Sequence, residues 1–263
     1  MGQNKRIVGW AAGACVVLVA GLFLAGCESI PNGGGGNGED YNLVVVLEKN
    51  LDSGQDVIYV RFRKDAAGIG GGVVVIDADT IPTSSASGQG NKTYTTPRWQ
   101  HAEKIQIAAI DTGGSFIYRD SVVIPDEFAV ENVIPANHLW RPVDGNANVS
   151  WTTSIGAVNY LTSVRARTTS TSSRGLSEYS ESQAGLSQVI LPSTFRDQFE
   201  NLVEDVYDLK IIAYSQNFIA RPNPPYKTPP GDDVRTPILK DNIDGGIAAL
   251  VVSERDTLLV QTQ

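Results

Sequence analysis

Short runs of β-branched and aromatic residues, separated by turn residues, constrain this chain more than any other feature. Residues 57–63 alternate between two faces, and residues 206–214 do the same later in the chain. Such alternation is typical of strands with one face buried. Only residues 192–203 have a helical spacing, and Ser193 is a suitable N-cap for a short helix there. Many short strands with almost no helix between them predict an all-β fold made of β-sandwiches.

The strand runs fall into two groups, which predict two tandem domains. The first domain is expected over residues 42–126 and the second over residues 127–263, with the boundary near 127–134. Within the first domain, the sequence Asp-Thr-Gly-Gly-Ser at 111–115 predicts a hairpin connection between two strands. The last strands, within 247–260, are expected to close the second domain.

The N-terminus has the pattern of a secretory signal peptide over residues 1–26. Lys5 and Arg6 form a short basic region, and an apolar run follows over residues 7–25. The run ends in small residues, which is where signal peptides are cleaved. Residues 27–41 contain four consecutive glycines, which disfavour helix and strand, so this stretch is expected to be a flexible tether.

The sequence Leu24-Ala25-Gly26-Cys27 resembles the lipobox of bacterial lipoproteins. That resemblance implies transfer of a diacylglyceryl group to the Cys27 thiol, cleavage before Cys27, and acylation of the new N-terminus. The acyl chains attached to Cys27 are therefore expected to hold the protein in the bilayer. Each buried CH₂ contributes ~0.8 kcal/mol to the free energy of membrane binding. In such lipoproteins, an Asp directly after the lipidated Cys favours retention in the inner membrane. This chain has Glu28 at that position, which predicts the outer membrane of a bacterial cell envelope. The alternative is an uncleaved transmembrane anchor, because the apolar run is just long enough to span a bilayer.

Cleavage would change the composition in ways that exclude several classes of function. The chain has 21 basic and 29 acidic residues, and loss of Lys5 and Arg6 changes the net charge from −8 to −10. This charge argues against a nucleic-acid partner. Of the two Cys residues, Cys15 is removed and Cys27 carries lipid. The folded part then has no thiol, which excludes a Cys nucleophile and disulfide cross-links.

The second half resembles a fibronectin type III or immunoglobulin-like sandwich. The resemblance covers about residues 130–262 and depends on Trp151 in one strand, residues 160–164 in the next, and Tyr207 at the start of a late alternating strand. It implies that Trp151 packs centrally and that the Tyr207 hydroxyl bonds back to the main chain at a tyrosine corner. The first half resembles the same class in strand number and length alone.

No catalytic constellation stands out, so the chain is not expected to be an enzyme. His101 and His138 lack metal-ligand spacing, and no Gly-x-Ser-x-Gly motif is present. Asp77 and Asp79 are spaced to share one face of a strand end, although two carboxylates are too few for a calcium site. No metal and no cofactor other than the lipid on Cys27 is expected.

The most unusual segment is the Pro-rich stretch 215–242, which is expected to be a long loop in the second domain. Aromatic, aliphatic and arginine side chains are favoured at protein interfaces. Residues of these types occur in two segments and are candidates for partner binding. They are Phe218, Ile219, Arg221 and Tyr226 in the loop, and Tyr94 and Trp99 in the first domain. The alternative for the loop is that it packs along its own domain and covers a sheet edge.

These observations favour a non-catalytic interaction or structural module anchored in the envelope, such as an accessory subunit of a membrane complex. Its expected partners are the bilayer and an envelope protein. A second hypothesis is a glycan-binding module that uses Trp99, Trp140 or Tyr226 as stacking platforms, and burial of the two Trp rings would remove it. A third is a hydrolase, metal-dependent or not, whose acidic residues converge only in the fold.

Overall fold

A computed structural model describes most of the chain beyond the predicted tether. The described ranges are 41–64, 69–70, 72–100, 103–168, 173–180, 185–215, 219–220, 234–235 and 243–262. Within the chain, Glu39–Gln263 forms one compact unit. The predicted signal peptide, Cys27 and the tether up to residue 40 lie outside the described residues.

The first half of the described chain contains eight strands, and none of its described residues is helical. They are β1 (Tyr41–Asn50), β2 (Gln55–Lys64), β3 (Ile69–Gly70), β4 (Gly72–Ile76), β5 (Asp79–Pro82), β6 (Gln89–Tyr94), β7 (Lys104–Asp111) and β8 (Phe116–Val123). The predicted hairpin is confirmed, because residues 112–115 connect β7 to β8 as antiparallel neighbours.

The second half continues the all-β pattern. Its strands are β9 (Val130–Ile134), β10 (Leu139–Trp140), β11 (Ala147–Trp151), β12 (Asn159–Ala166), β13 (Leu176–Ser180), β14 (Ser187–Ile190), β15 (Asp205–Tyr214), β16 (Ile219–Ala220), β17 (Val234–Arg235), β18 (Ile243–Val252) and β19 (Asp256–Val260). Two 3₁₀ turns, η1 (Pro142–Asp144) and η2 (Pro192–Phe195), are the helical elements of the described residues.

The helix predicted over residues 192–203 is wrong, since only η2 forms there. The Asp197 carboxylate accepts the backbone N–H groups of Phe199 and Asn201, at 2.8 and 2.9 Å. A side chain that takes these protons replaces the acceptors that a helix would supply, so the chain turns instead. Glu200 then adopts a φ of 66°, which ends any helical path.

The predicted immunoglobulin-like sandwich of the second half is confirmed. One sheet has the order β14-β11-β9, and the other places β13, β12, β15 and β19 side by side. Aromatic rings join the two sheets at the centre, where the Trp151 and Tyr160 centroids lie 5.5 Å apart. Trp151 is 1% exposed, as predicted. The Tyr207 hydroxyl donates to the Val203 carbonyl oxygen at 3.0 Å, which is the predicted tyrosine corner.

Removal of the Tyr207 hydroxyl should destabilise the second sandwich. Tyr207 is 0% exposed, so a Tyr207→Phe change leaves the Val203 carbonyl buried without this donor. We expect a loss of ~1–3 kcal/mol in the free energy of unfolding, measured by urea denaturation of residues 39–263. Tyr118→Phe is the matched control, because the Tyr118 hydroxyl donates to Asp120 on the surface. Equal effects of the two changes would contradict the corner's role.

The first sandwich is completed by a strand from the far end of the chain. One of its sheets has the order β5-β4-β7-β8, and in the other β1 lies between β2 and β18. The β1–β18 pairing is parallel and runs through ten residues of each strand, from Tyr41 opposite Ile243 to Asn50 opposite Val252. Residues predicted to close the second domain therefore also contribute to the first.

β18 joins the two halves because it pairs at one edge with β1 and at the other with β15. A single sheet therefore runs across the predicted boundary near 127–134. Charged groups reinforce the junction, where Asp52 in the β1–β2 turn accepts from Lys210 and Arg255 at 2.8 and 2.9 Å. The division into a domain of residues 42–126 and a domain of residues 127–263 stays a prediction. β18, which lies in the second range, pairs with strands from both ranges.

Register gives the described part of the chain a long axis with two distinct ends. β19 continues in the direction of β18, because both pair antiparallel with β15. Tyr41 opposite Ile243 marks one end, and Val260 at the end of β19 marks the other. At about 3.3 Å per residue, the path from 243 to 260 spans on the order of 60 Å. The predicted tether enters at the Tyr41 end.

Candidate interaction surfaces

Trp99 does not form part of an exposed surface, so the prediction of an exposed aromatic there is wrong. Its side chain is 2% exposed. The backbone N–H of Trp99 donates to the Asp56 carboxylate at 3.0 Å, and its carbonyl accepts from the Lys49 ammonium at 2.9 Å. Lys49 and Asp56 face each other across β1 and β2 and are both buried. This pair holds the segment before β7 against the core and turns the indole inward.

Tyr94, the other candidate in this segment, is half-buried and engaged with its neighbours. Its hydroxyl donates to Asp79, which also accepts from Lys92. Burial acts to raise the pKa of Asp79, but these hydrogen bonds outweigh it and hold the pKa below its ordinary value. Asp77 lies in the turn between β4 and β5, and its carboxylate accepts the Gln106 backbone N–H. The two carboxylates therefore do not share one face.

The residues considered for acid–base or stacking chemistry have structural roles where they are described. The His138 ring lies 2.9 Å from the Thr257 carbonyl and 3.1 Å from Asp256. Trp140 is 0% exposed, and its Nε1–H donates to the Gly145 carbonyl at 2.9 Å. Burial of Trp140 and Trp99 removes two of the three stacking platforms of the glycan hypothesis. His101 lies outside the described residues.

Metal-ligating side chains do not converge in the described residues, where no group of three His, Cys, Asp or Glu could hold an ion. In the same residues, no helix is both long and apolar enough to cross a bilayer. The lipobox residues Leu24, Ala25, Gly26 and Cys27 lie outside the described part, so lipid attachment stays a prediction.

The Pro-rich stretch is described only in two short pieces of backbone. β16 and β17 pair antiparallel, with Ile219 opposite Arg235 and Ala220 opposite Val234, and β17 lies close to β18. Three of the candidate residues, Phe218, Arg221 and Tyr226, lie outside the described residues. Partner binding by this stretch stays a prediction.

Exposed aliphatic side chains lie in a row on the outer face of the β14-β11-β9 sheet. Ile134 and Val189 both pair with Asn148 from opposite sides, and they are 54% and 44% exposed. Leu191 follows β14 and is 54% exposed. Alternation aims these side chains away from the core, where Val149 is 0% exposed. The sequence signal was present, because β9 and β14 each carry an apolar residue at an outward position.

Two more exposed apolar residues lie in the connections at the end of the molecule far from Tyr41. Val143 in the β10–β11 connection is 88% exposed, and Phe199 in the β14–β15 connection is 72% exposed. At the starts of these connections, the ring of Trp140 at the end of β10 packs against the ring of Phe195 in η2, with centroids 4.5 Å apart. Isolated exposed apolar residues are ordinary, but several on one face and one end indicate a contact surface.

A second apolar cluster lies on the outer face of the large sheet, on the side away from the sandwich core. It consists of Val44, Val46, Leu161, Ile212, Tyr214, Ala248, Leu250 and Val252, each 6% exposed or less, with Tyr59 packed against them. Every described member comes from strands of this one sheet. We call this cluster the outer-face cluster.

Glu48 lies at the border of the outer-face cluster, opposite Val57 and Leu250 in the neighbouring strands. It is 2% exposed, and burial raises the pKa of its carboxyl above the ordinary value of 4.5, against the lowering effects of Asn50 and Lys210. One oxygen accepts from Asn50 at 2.9 Å, and the other has no hydrogen-bond partner among the described residues. Burial and the nearby Glu48 raise the pKa of Tyr59 to about 12.

The raised pKa of Glu48 predicts a specific dependence of stability on pH. Between 4.5 and the higher native pKa, the folded state binds a proton that the unfolded state has released. The free energy of unfolding should therefore fall as pH rises through this window. Glu48→Gln should flatten that decline in urea unfolding at a series of pH values. The exposed Glu131→Gln is the control, and an unchanged slope in Glu48→Gln would contradict the assignment.

Comparisons with known proteins find no matching family model and no matching curated protein. Among solved structures, a cytokine receptor complex is 12% identical, with a TM-score of 0.26 over 84% of this chain and 96% of that one. The FN1–FN3 domains of chicken CNTN1 are 10% identical, with a TM-score of 0.25 over 65% of this chain and 57% of that one. At these TM-scores the likeness carries no inference about function.

Proposed function

We propose that this chain is a lipid-anchored bacterial envelope protein, placed at the outer membrane through Cys27, that acts as a non-catalytic protein-binding module. The partner is another envelope protein, which this chain serves as an accessory subunit. The proposal combines the lipobox at residues 24–27 with a sandwich architecture and a surface suited to protein contact.

The observation that carries the proposal is the row of exposed aliphatic side chains on the β14-β11-β9 sheet. Ile134, Val189 and Leu191 are each at least 44% exposed, and they come from the two outer strands of this sheet or from the residue that follows β14. Asn148 lies between Ile134 and Val189 on this face, and Ser150 follows it along β11. Protein interfaces combine such exposed apolar side chains with polar groups.

The position of this surface also fits an anchored protein. The sheet belongs to the second sandwich, while the predicted tether enters at Tyr41, the opposite end of the β1–β18 pair. A tether of about 14 residues adds a reach on the order of 20 Å. The surface would therefore be presented away from the membrane to which Cys27 is attached.

The test is co-purification from gently solubilised membranes with the full-length chain, followed by the reciprocal experiment with the captured protein tagged. The Ile134→Ser/Leu191→Ser double variant should lose the partner by tenfold or more. Ile155→Ser is the matched control, because Ile155 is 70% exposed but lies in the β11–β12 connection, outside this surface. A partner retained equally by both variants, or none captured by the natural chain, would overturn the proposed binding surface.

Anchoring is tested separately. Cys27→Ala should abolish incorporation of labelled fatty acid and leave an uncleaved precursor, visible as a larger chain by mass spectrometry. Cys15→Ala is the control, since Cys15 lies inside the predicted signal peptide and should leave lipid incorporation intact. Labelling of the Cys27→Ala chain would show that lipid is attached elsewhere.

A further inference from the structure

β14 is an edge strand of the β14-β11-β9 sheet. It pairs with β11 on one side, and no described strand pairs with it on the other. The backbone N–H of Trp151 donates to the carbonyl oxygen of Leu186, directly before β14, at 3.0 Å. Because hydrogen-bonded pairs alternate along an antiparallel ladder, every second residue after Leu186 also bonds to β11. The backbone groups of Ser187 and Val189 lie between these positions and therefore point towards the open edge.

The open edge is reachable from solvent. Ser187 is exposed, and Val189 is 44% exposed. The Val189 carbonyl oxygen accepts the side-chain amide of Gln188 at 3.1 Å. A donor from outside the ladder therefore reaches this backbone acceptor in the chain alone, and a strand laid along the edge would supply a backbone N–H there instead.

β14 also lacks the features that usually protect an edge strand from pairing. Charged side chains and prolines within an edge strand discourage the addition of another strand. Among the described edge strands of four residues or more, β14 alone has neither. The protecting residues of the others are Asp79 and Pro82 in β5, Lys92 in β6, Arg119 and Asp120 in β8, Glu131 in β9 and Glu178 in β13. In the described part of the chain, this edge is therefore the one most open to an added strand.

The side chains beside the open edge define the chemistry of a strand that would fit. Val189 and Leu191 are two residues apart and project from the same face of the sheet, where Leu191 is 54% exposed. Residues 185–192 contain no charged side chain. The matching strand is therefore uncharged and has apolar residues at alternate positions, which contact Val189 and Leu191.

We propose that the partner binds by adding an extended segment to β14, so that the segment becomes the fourth strand of this sheet. The inference rests on the proposed function, because it states how the same surface holds its partner. Backbone hydrogen bonds to Ser187 and Val189 provide affinity, and alternate apolar side chains over Val189 and Leu191 provide selectivity.

A proline at position 187 tests the backbone contact. The Ser187 N–H points to the open edge and not to β11, so Ser187→Pro removes this donor without breaking the ladder inside the sheet. With the full-length chain as bait and the captured envelope protein as the probe, co-purification should fall by tenfold or more. Ser187→Ala is the matched control, because it removes the same hydroxyl but keeps the N–H, and it should hold the partner as the natural chain does. The two variants should have the same midpoint of urea unfolding.

Amide hydrogen exchange in the natural chain is a second measurement, which needs no variant. When the captured protein is bound, the amides of Ser187 and Val189 should exchange at least tenfold more slowly. The amides of β8, an edge strand of a different sheet, are the control and should be unchanged. A bound partner that leaves exchange at Ser187 and Val189 unchanged would overturn strand addition, whatever the proline variant does.

The possible outcomes separate strand addition from the proposed function. Equal binding or equal loss in Ser187→Pro and Ser187→Ala would overturn strand addition, while loss of the partner from the Ile134→Ser/Leu191→Ser chain would still support the binding surface. Capture of a second copy of this chain, recognised by its mass, would overturn the inference in favour of self-association. If the natural chain captures nothing, both proposals fail.

Discussion

A fragment that ends at residue 126 should fail to fold, although its own strands were expected to make a complete sandwich. Without β18, one edge of β1 loses its partner along ten residues. The core also loses Ile247 and Val251, which are 2% and 0% exposed. Burial of two such side chains contributes about 3–6 kcal/mol. A domain is stable by only ~5–15 kcal/mol, so this loss is decisive.

Urea unfolding followed by far-ultraviolet circular dichroism, together with the dispersion of backbone amide resonances, measures the effect. The fragment 41–126 should show neither a cooperative transition nor a dispersed spectrum, whereas the chain 39–263 should show both. The matched control shortens residues 218–230 to a brief Gly/Ser link, which removes chain but keeps β18. A cooperative transition in the fragment would show that β18 is dispensable.

The second large effect is expected at the buried Lys49–Asp56 pair. Asp56 is 2% exposed and accepts the backbone N–H groups of Arg98 and Trp99, at 2.5 and 3.0 Å. Asp56→Ala leaves both backbone donors without that acceptor, whereas the Lys49 ammonium keeps Glu127, at 3.1 Å, and the Trp99 carbonyl. Each buried donor left without an acceptor costs ~1–3 kcal/mol, so the loss of two bonds is a large effect. The midpoint of urea unfolding should fall accordingly, with a change in Trp fluorescence.

Asp56→Asn separates charge from hydrogen bonding, because its amide oxygen still accepts an N–H. We expect a smaller loss of stability than for Asp56→Ala. The exposed Asp120→Ala should be nearly neutral and controls for the loss of any carboxylate. An Asp56→Ala chain as stable as the Asp120→Ala chain would mean that this pair does not hold the Trp99 segment.

Local features of the sequence predicted most strands and the second sandwich. Alternation in residues 206–214 identified β15. The resemblance to fibronectin type III domains implied a central Trp151 and a corner Tyr207, both of which the fold confirms. These signals are local, since side-chain direction in a strand depends on a period of two residues. A hairpin such as β7–β8 is equally local, because its partners are joined by a short turn.

The pairing of β1 with β18 could not be predicted in the same way, because the partners lie about 200 residues apart. One signal was available. Leu43 to Leu47 are apolar at every position, and all five are 6% exposed or less. A continuous apolar run indicates a strand that is buried on both faces and lies inside a wide sheet. The run does not say which strand lies beside it.

The interaction surfaces were predicted less well for a related reason. Trp99 lies between polar residues, which suggests exposure, but a buried Lys–Asp pair brought together by two other strands turns it inward. The exposed row of Ile134 and Val189 exists only once β9 and β14 lie on either side of β11. β9 and β14 each carry an outward apolar residue that the sequence does show, but neither strand shows that the two residues will be brought together.

The parallel pairing of β1 and β18 also has a mechanical meaning for a protein held at one end. If the tether pulls at Tyr41 while a partner pulls at the far end of β19, the force runs along the two strands. Their ladder is then loaded in shear, so its hydrogen bonds share the force and must break together. A hairpin pulled at its open end would release them one by one. Because β18 pairs in parallel with β1, the arrangement that resists force better lies between the membrane anchor and the bound partner.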